Sequence, residues 1–252
     1  MDLRILYENK DLIAVYKPAG IATETRDVLS EDMVSLVRKY AAGKERPLTA
    51  GQKALNDSGN RSNRADTAPG SIEPVHRLDQ PVSGILIFAK NKESFRKLSA
   101  QFSGNKCDKR YLAVVEGAMP LAEGEVHLVH YLKKEISGRG TRAVICEASR
   151  QGAKKAELIY KITKVLNDPP RTILEIRLLT GRFHQIRAQL SAIGHPILGD
   201  MKYGYQGLRV DSCGIALLCY HIAFVDPGSG KRIELSLDEN DPAMVDFLGN
   251  YG

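Results

Sequence analysis

A lone aspartate stands in the polar segment at 75–84, where the chain reads VHRLDQPVSG. The residues that follow, at 84–89, are almost all apolar, which predicts a strand covered on both faces. A loop entering such a strand can hold a carboxylate in fixed geometry. Because the cation Arg77 lies two residues away, Asp79 stays ionised and is available as a nucleophile or base. The alternative is a structural ion pair at a turn, which is the commoner role for an isolated aspartate.

A second group of polar residues, GRFHQIR at 181–187, lies near the predicted start of a helix. Arg187 follows the apolar Ile186, so its side chain lies at the edge of the face that packs on the core. From there its guanidinium could reach a partly buried carboxylate. The alternative is an exposed basic helix face that binds nothing in particular.

The third segment, KRYLAVVEG at 109–117, places a basic pair before an aromatic residue at the start of a strand. Lys109 and Arg110 with Tyr111 form the combination that stacks a nucleobase and neutralises its phosphate. The alternative is a strand tyrosine packed in the core, which is the more common arrangement.

Several other kinds of site are excluded by the sequence. His127 and His130 could pair as metal ligands, but residues three apart in a strand point to opposite faces. The zinc nucleobase deaminase signature is absent, as are the GxGxxG dinucleotide loop, the phosphate-binding P-loop and the GxSxG nucleophile elbow. We therefore predict that the protein uses neither a metal nor a nucleotide cofactor.

The elements that must position these residues are mostly strands. Apolar runs at 4–7 and 12–16, separated by the turn cluster Asn9-Lys10-Asp11, predict a hairpin followed by the KPAG loop at 17–20. Further strands are predicted at 84–89, 110–116, 125–133, 141–148, 155–166, 171–179, 215–225 and 231–237.

Helical periodicity appears in only three places. One predicted helix covers 33–40, and a second contains Phe95, Leu98 and Phe102 and stops near Gly104. A third starts with Thr180 as its N-cap and ends at 194. Many strands with few helices predict an α+β fold with a large mixed or antiparallel sheet.

Residues 41–74 differ in character, being rich in glycine, serine, asparagine and charge. Such a stretch cannot bury enough apolar surface to pack, so we predict a polar, mobile surface insertion. A loop of this length inside a domain is often functional, but disorder without a function is at least as common. No repeat or composition break divides the rest, and we predict a single domain over 1–252.

Composition places the chain among globular proteins. Its 252 residues are 43% hydrophobic and 26% charged, which excludes wholesale disorder. No 18-residue apolar stretch predicts a membrane span, and the N-terminus lacks a secretory signal. Four scattered cysteines favour a reducing cytoplasm over a disulfide framework. The net charge of +6 is compatible with a polyanionic partner, but on charge alone we favour a soluble protein with a mild positive excess.

Taken together and in this order, the segments resemble the RluA-type (large ribosomal subunit type) family of RNA pseudouridine synthases. HRLDQPVSGILIFAK resembles the family's HRLDxxTSGLLL motif, and KRYLAVVEG its KxYxAxxxG strand. GRFHQIRAQLSAIGHPILGD resembles GRxHQIRxHxxxxGHPxxGD, and LYENKDLIAVYKPAG the opening strand with its KPAG loop. The resemblance covers 6–225, without the S4-like domain that many relatives carry.

This resemblance implies isomerisation of uridine to pseudouridine in rRNA or tRNA, without a cofactor, in a central cleft of the pseudouridine synthase fold. Asp79 matches the catalytic aspartate, Tyr111 the tyrosine that stacks on the target base, and Arg187 the arginine that pairs with the carboxylate. Arg77 matches the residue that fills the gap left by the flipped nucleotide. Substrate or RNA binding is further assigned to His76, Lys109, Arg110, Arg182, His184, Gln185 and Ile222.

RNA contacts must then come from the catalytic domain. Candidate phosphate contacts are Lys133, Lys134, Arg139, Arg142, Arg150, Lys154 and Lys155. Departures from the family motifs near the pocket bear on substrate preference; they are Gln80, Val82, Phe183, Ala188 and Gln189.

Two other hypotheses compete with the synthase. One is a non-catalytic RNA-binding protein on the same scaffold, and the other is a carboxylate hydrolase, which needs a second acid near Asp79. The sequence leaves open which RNA is modified and whether Asp79 attacks C1′, attacks the uracil ring or removes a sugar proton. A monomer is the default expectation.

Overall fold

The computed structural model describes residues 3–25, 27, 29–44, 72–120, 124–137, 140–207 and 214–251. Within these ranges, eleven strands form one sheet. The strands are β1 (Ile5–Glu8), β2 (Leu12–Lys17), β3 (Glu73–Pro74), β4 (Ser83–Ala89), β5 (Asp108–Glu116), β6 (Val126–Ser137), β7 (Gly140–Cys146), β8 (Lys154–Asn167), β9 (Pro170–Leu178), β10 (Leu217–Val225) and β11 (Arg232–Ser236).

The spatial order of the sheet is β1-β2-β4-β10-β5-β9-β8-β6-β7, with β11 on β10 and β3 on β4. β4 and β10 run parallel, whereas the other paired strands are antiparallel. The predicted mixed sheet of an α+β protein is therefore confirmed.

Four helices accompany the sheet in the described part of the chain: α1 (Met33–Lys44), α2 (Lys92–Ser103), α3 (Gln185–Ala192) and α4 (Pro242–Tyr251). A short 3₁₀ turn spans Met201–Tyr203. Asn91 caps α2, since its side-chain oxygen accepts a hydrogen bond from the Ser94 amide at 2.8 Å. None of the helices in these ranges is long and apolar enough to cross a membrane.

The strand that follows the Asp79 segment, β4, is an interior strand of the sheet. Residues 85–89 of β4 are completely buried, as the continuous apolar run predicts. Gly84 pairs with Cys219 of β10 at a φ of +129°, and a Cβ at this position would lie 2.3 Å from the Cys219 carbonyl oxygen. Only glycine permits this close approach. The Asp79 loop therefore leads directly into a completely buried strand of the core.

Most predicted element bounds agree with the structure to within four residues, but the predicted start of α3 is wrong. The helix begins at Gln185, five residues after Thr180. The Thr180 hydroxyl instead accepts a hydrogen bond from the Glu157 amide and donates one to Gln185 Oε1. His184 has a φ of 50°, which is incompatible with a right-handed helix. The GRFH residues therefore form a loop held against β8.

The predicted insertion at 41–74 is too wide at both ends. Residues 41–44 complete α1, while Ile72 is buried and β3 pairs with β4. The rest of that prediction, at 45–71, lies outside the described residues. The sequence analysis also did not predict β3, which is only two residues long, or α4, although the spacing of Ala243, Met244, Phe247 and Tyr251 is helical.

Candidate active site

One cavity of about 1110 Å³ brings together the three candidate segments of the sequence, at 75–84, 109–117 and 181–187. Nine of the eleven candidate residues line it, namely His76, Arg77, Asp79, Lys109, Tyr111, Arg182, His184, Gln185 and Arg187. Segments more than 100 residues apart in sequence therefore meet at a single site.

The other two candidates, Arg110 and Ile222, do not line the cavity. Successive strand residues alternate between faces, so Arg110 points away from Lys109 and Tyr111. It pairs there with Asp108, with Arg110 Nη2 3.0 Å from Asp108 Oδ2. Ile222 is completely buried in the core. On β10 the cavity wall is formed by Leu217, which the sequence did not suggest.

Asp79 and Arg187 form an ion pair at the base of the cavity. Arg187 Nη1 donates a hydrogen bond to Asp79 Oδ2 at 3.0 Å. The same guanidinium binds Asp200 through two hydrogen bonds, of 2.7 Å from Nε and 2.8 Å from Nη2. The Arg187 side chain is 5% exposed, that of Asp200 1% and that of Asp79 25%. One buried cation thus lies between two carboxylates, of which only Asp79 retains substantial exposure.

Asp200 fixes the orientation of this cation. Burial acts to lower the pKa of Arg187, but its hydrogen bonds with Asp200 and the charges of Asp200 and Asp79 raise it above its usual value. A bidentate pair also defines the plane of the guanidinium. The remaining nitrogen, Nη1, therefore points at Asp79. No hydrogen bond to Asp79 Oδ1 is found among the described residues, which leaves one carboxylate oxygen unengaged.

His184 lies beside the same carboxylate, with Nε2 3.5 Å from Asp79 Oδ2. The Tyr203 hydroxyl accepts a hydrogen bond from the Ala143 amide at 2.7 Å, so its own proton is directed at His184 Nδ1, 2.9 Å away. This arrangement favours the tautomer with the imidazole proton on Nε2, facing Asp79. Burial, together with the nearby charge of Arg187, lowers the pKa of His184 to about 3. His184 is therefore a neutral, oriented donor.

Lys17 anchors the loop that carries Asp79. Its side chain is completely buried, and Nζ donates to the carbonyl oxygens of Pro18, Ile21 and Gln80 at 2.9, 2.6 and 3.1 Å. All three ammonium donors are thereby engaged. Burial lowers the pKa of Lys17 to about 7, an effect opposed by the charge of Asp79. The KPAG loop and the residue after Asp79 are therefore tied to one buried group.

Tyr111 forms an apolar wall of the cavity. It is buried on β5 opposite Cys219. Burial, the neighbouring Cys219 thiol and the Asp79 carboxylate raise the pKa of Tyr111 well above its ordinary value. The phenol therefore stays protonated near neutral pH and presents an uncharged ring.

Lys109 joins two of the segments. A Cβ on Gly181 would lie 3.3 Å from Lys109 Nζ, so the buried ammonium reaches the GRFH loop. It also lies 5.8 Å from the centre of the Phe102 ring, on which His76 stacks at 4.9 Å. Burial and the charge of Lys109 lower the pKa of His76 to about 3. This part of the cavity therefore carries one cation beside a neutral aromatic stack.

Gln185 and Arg182 hold the GRFH loop in place. Gln185 Oε1 accepts from the Thr180 hydroxyl at 2.8 Å and the Arg182 amide at 2.9 Å, and Nε2 donates to the Glu157 carbonyl. Arg182 Nε donates to the Lys155 carbonyl at 2.9 Å. Both side chains line the cavity, but these hydrogen bonds show that they also shape its wall.

The rim of the cavity is exposed and cationic. The Arg77 side chain is 69% exposed and reaches Glu24 only at 3.9 Å. Of the candidate phosphate contacts, Lys134 lines the cavity. The remaining ones in the described ranges lie elsewhere on β6 to β8 and their connections, and Arg139 lies outside those ranges. In the described part of the chain, no three His, Cys, Asp or Glu side chains are grouped to hold a metal ion. The expected independence from metals stays a prediction.

Sequence reasoning assigned no role to Asp200, Tyr203 or Lys17. Asp200 ends the GHPILGD segment and Lys17 opens KPAG, so both stood in segments already singled out. Their partners are 13 or more residues away or are backbone carbonyls, which no local pattern indicates. Tyr203 lies outside the motifs that the sequence analysis singled out.

Comparisons with known proteins point to one family. The family model described as RNA pseudouridylate synthase matches residues 11–192. A tRNA pseudouridine synthase C of Haemophilus ducreyi is 31% identical over 261 residues, covering 99% of this chain and 97% of that protein. Ribosomal large subunit pseudouridine synthase D of Zymomonas mobilis is 30% identical, covering 94% of this chain and 69% of the relative.

Solved structures show the same architecture. The human RNA pseudouridylate synthase domain containing 1 protein superposes with a TM-score of 0.66 at 21% identity, covering 98% of this chain and 87% of that chain. At this identity the likeness concerns the fold. With the sequence matches, however, the class is defined: the chain belongs to the RNA pseudouridylate synthase family. It is an isomerase that converts uridine to pseudouridine in RNA, as the resemblance implies.

Proposed function

We propose that Asp79 is the catalytic carboxylate and that it acts on a uridine flipped out of a transfer RNA into the cavity. The observation that carries this proposal is the hydrogen bonding of Asp79. One oxygen is held by Arg187, while the other has no partner in the described residues and the side chain lines the cavity. A reactive carboxylate needs this combination of fixed orientation and an available oxygen.

The isomerisation exchanges one bond to the sugar for another. The bond between N1 and C1′ breaks, the base rotates, and a bond between C5 and C1′ forms. C5 releases its proton and N1 takes one up, so atoms balance without an oxidant or a metal. Asp79 can attack C1′, attack the uracil ring or remove a sugar proton, and each of these steps requires the ionised carboxylate that pairs with Arg187.

The remaining roles follow from position and charge. Arg187 orients Asp79, with Asp200 behind it, and His184 donates toward the same oxygen. Tyr111, protonated and buried, is suited to packing against the uracil ring. Arg77, exposed at the rim, can enter the space that the flipped nucleotide leaves in the RNA.

The choice of transfer RNA rests on length as well as identity. The relative named a tRNA pseudouridine synthase matches this chain over nearly the full length of both proteins. The ribosomal relative matches over 69% of its own length. An RNA substrate supports a cytoplasmic location, and a monomer stays the default expectation.

The test is release of tritium from RNA transcribed with [5-³H]uridine, because pseudouridine formation replaces the C5 hydrogen. We expect release from transfer RNA with the wild type and a loss of at least about 10³-fold with Asp79→Asn. Asp79→Asn keeps the size of the side chain, so its fold and RNA affinity should be retained. Release at an unchanged rate by this variant would contradict the role of Asp79.

A ribosomal RNA transcript serves as the second substrate. Tritium release from ribosomal RNA alone would support the proposed reaction but would contradict the choice of transfer RNA as substrate. RNA binding without release from either RNA would favour the non-catalytic hypothesis. Free uracil as product would favour a hydrolase.

A further inference from the structure

An aromatic ring is exposed inside the cavity, next to the catalytic cluster. Phe183 is 40% exposed and lines the same cavity as Asp79. Its ring stacks on the His184 ring with centroids 3.7 Å apart and planes 20° apart. His184 in turn lies 3.5 Å from Asp79. Phe183 therefore contacts a direct neighbour of the reacting carboxylate, and a large part of its own surface remains open to a ligand.

The ring is rigidly supported. The loop beneath it is held by Gln185, which accepts hydrogen bonds from the Arg182 amide and the Thr180 hydroxyl. His184, with its φ of 50°, is fixed by Tyr203. A ring held in place before binding loses little conformational entropy when a ligand stacks on it.

One cation lies over this ring, and a second lines the same cavity. Lys134 Nζ lies 4.9 Å from the centre of the Phe183 ring, and Lys134 and Lys202 both line the cavity. Neither lysine pairs with a carboxylate in the described part of the chain. An exposed aromatic ring with unpaired cations beside it is the arrangement that binds single-stranded nucleic acid, through base stacking and phosphate contacts.

We propose that Phe183 is a stacking platform for a second nucleobase, adjacent to the target uridine, and that Lys134 and Lys202 bind the phosphates of this nucleotide. This subsite rests on the proposed function, because it is defined relative to a uridine at Asp79. It selects for an unstacked neighbouring base and tolerates any base identity, since every base offers a π face.

Fluorescence tests the platform without using the reaction. The chain contains no tryptophan, so Phe183→Trp introduces a single reporter at this position. The probes are hexauridylate and an abasic hexamer with the same number of phosphates. We expect hexauridylate to quench the fluorescence and the abasic hexamer to leave it nearly unchanged. Val245→Trp, on α4 and 52% exposed outside the cavity lining, is the control and should respond to neither. Equal quenching by both hexamers, or none by hexauridylate, overturns the platform.

Kinetics on the transfer RNA substrate give the second test. Phe183→Leu keeps an apolar side chain but removes the π face, and we expect KM to rise about tenfold, the range of one stacked base, with kcat within twofold. Phe183→Tyr should restore KM. An abasic nucleotide beside the target should raise KM for the wild type but not further for Phe183→Leu. An unchanged KM in Phe183→Leu overturns the proposal, whereas absence of wild-type turnover overturns the proposed function and leaves the fluorescence result to stand alone.

Discussion

The base and the rim of the cavity are built in opposite ways. The base cluster is buried or half-buried and hydrogen-bonded; it consists of Asp79, Arg187, Asp200, His184 and Tyr203. The rim residues are exposed; they are Arg77, Phe183, Lys134 and Lys202. Phe183 stacks on His184, whereas the one ion pair of these cations within the described residues is the loose contact of Arg77 with Glu24 at 3.9 Å. Chemistry on a carbon–nitrogen bond requires groups that do not move, whereas an RNA strand requires charges that can exchange water for phosphate. The two regions are therefore expected to respond differently to substitution.

The largest effect is expected on folding, from Asp200→Ala in the base cluster. Removing Asp200 leaves the buried Arg187 without its bidentate partner, which should lower the free energy of unfolding by about 3–5 kcal/mol. Asp79→Ala is the matched variant, because it removes the more exposed carboxylate from the same guanidinium and should cost much less. Urea denaturation measures both. Equal losses would show that the two carboxylates do not differ in this way.

A pH-dependent effect is expected from His184. Its folded-state pKa of about 3 lies below the unfolded value of about 6.5, so the unfolded chain binds more protons between these pH values. Stability is therefore complete above pH 6.5 and is lost as the pH falls toward 3, by at most about 1.4 kcal/mol per pH unit for one group.

The variant that isolates this contribution is His184→Asn, since asparagine tolerates the left-handed backbone at this position. Its free energy of unfolding should fall less steeply between pH 7 and 4 than that of the wild type. The pH dependence of stability that remains in the variant includes the contribution of His76, whose pKa burial also lowers. If the free energies of unfolding of wild type and variant change in parallel with pH, His184 does not contribute to the pH dependence of stability.

The smallest effect on folding is expected at the rim. Arg77→Ala should leave the free energy of unfolding within about 0.5 kcal/mol, because the side chain is exposed and only loosely paired. It should weaken binding to transfer RNA several-fold and reduce the salt dependence of log K by about one unit. Arg232→Ala removes an equal charge on β11, outside the cavity lining, and should change neither quantity. Identical salt slopes for the two variants would mean that Arg77 does not contact phosphate.

Local patterns were sufficient for most elements. The apolar run at 85–89 predicted a strand buried on both faces, and the strand is completely buried. The predicted start of α3 was wrong because Thr180, an ordinary N-cap residue, does not cap the helix. Its hydroxyl instead forms hydrogen bonds with the Glu157 amide of β8 and with Gln185 Oε1. Capping propensity describes only a residue's own segment, whereas here β8, which is distant in sequence, competes for the Thr180 hydroxyl.

The sequence by itself determined the family, the class of fold and nine of the residues that line the cavity, because these depend on residue types in ordered local segments. Only the tertiary structure decided which atoms meet. It placed Arg187 between Asp79 and Asp200, set His184 Nε2 3.5 Å from Asp79 Oδ2, and exposed Phe183 beside them. These contacts join residues whose positions depend on how strands and loops pack in space. Hydrogen bonds of defined geometry arise only after that packing has fixed both partners.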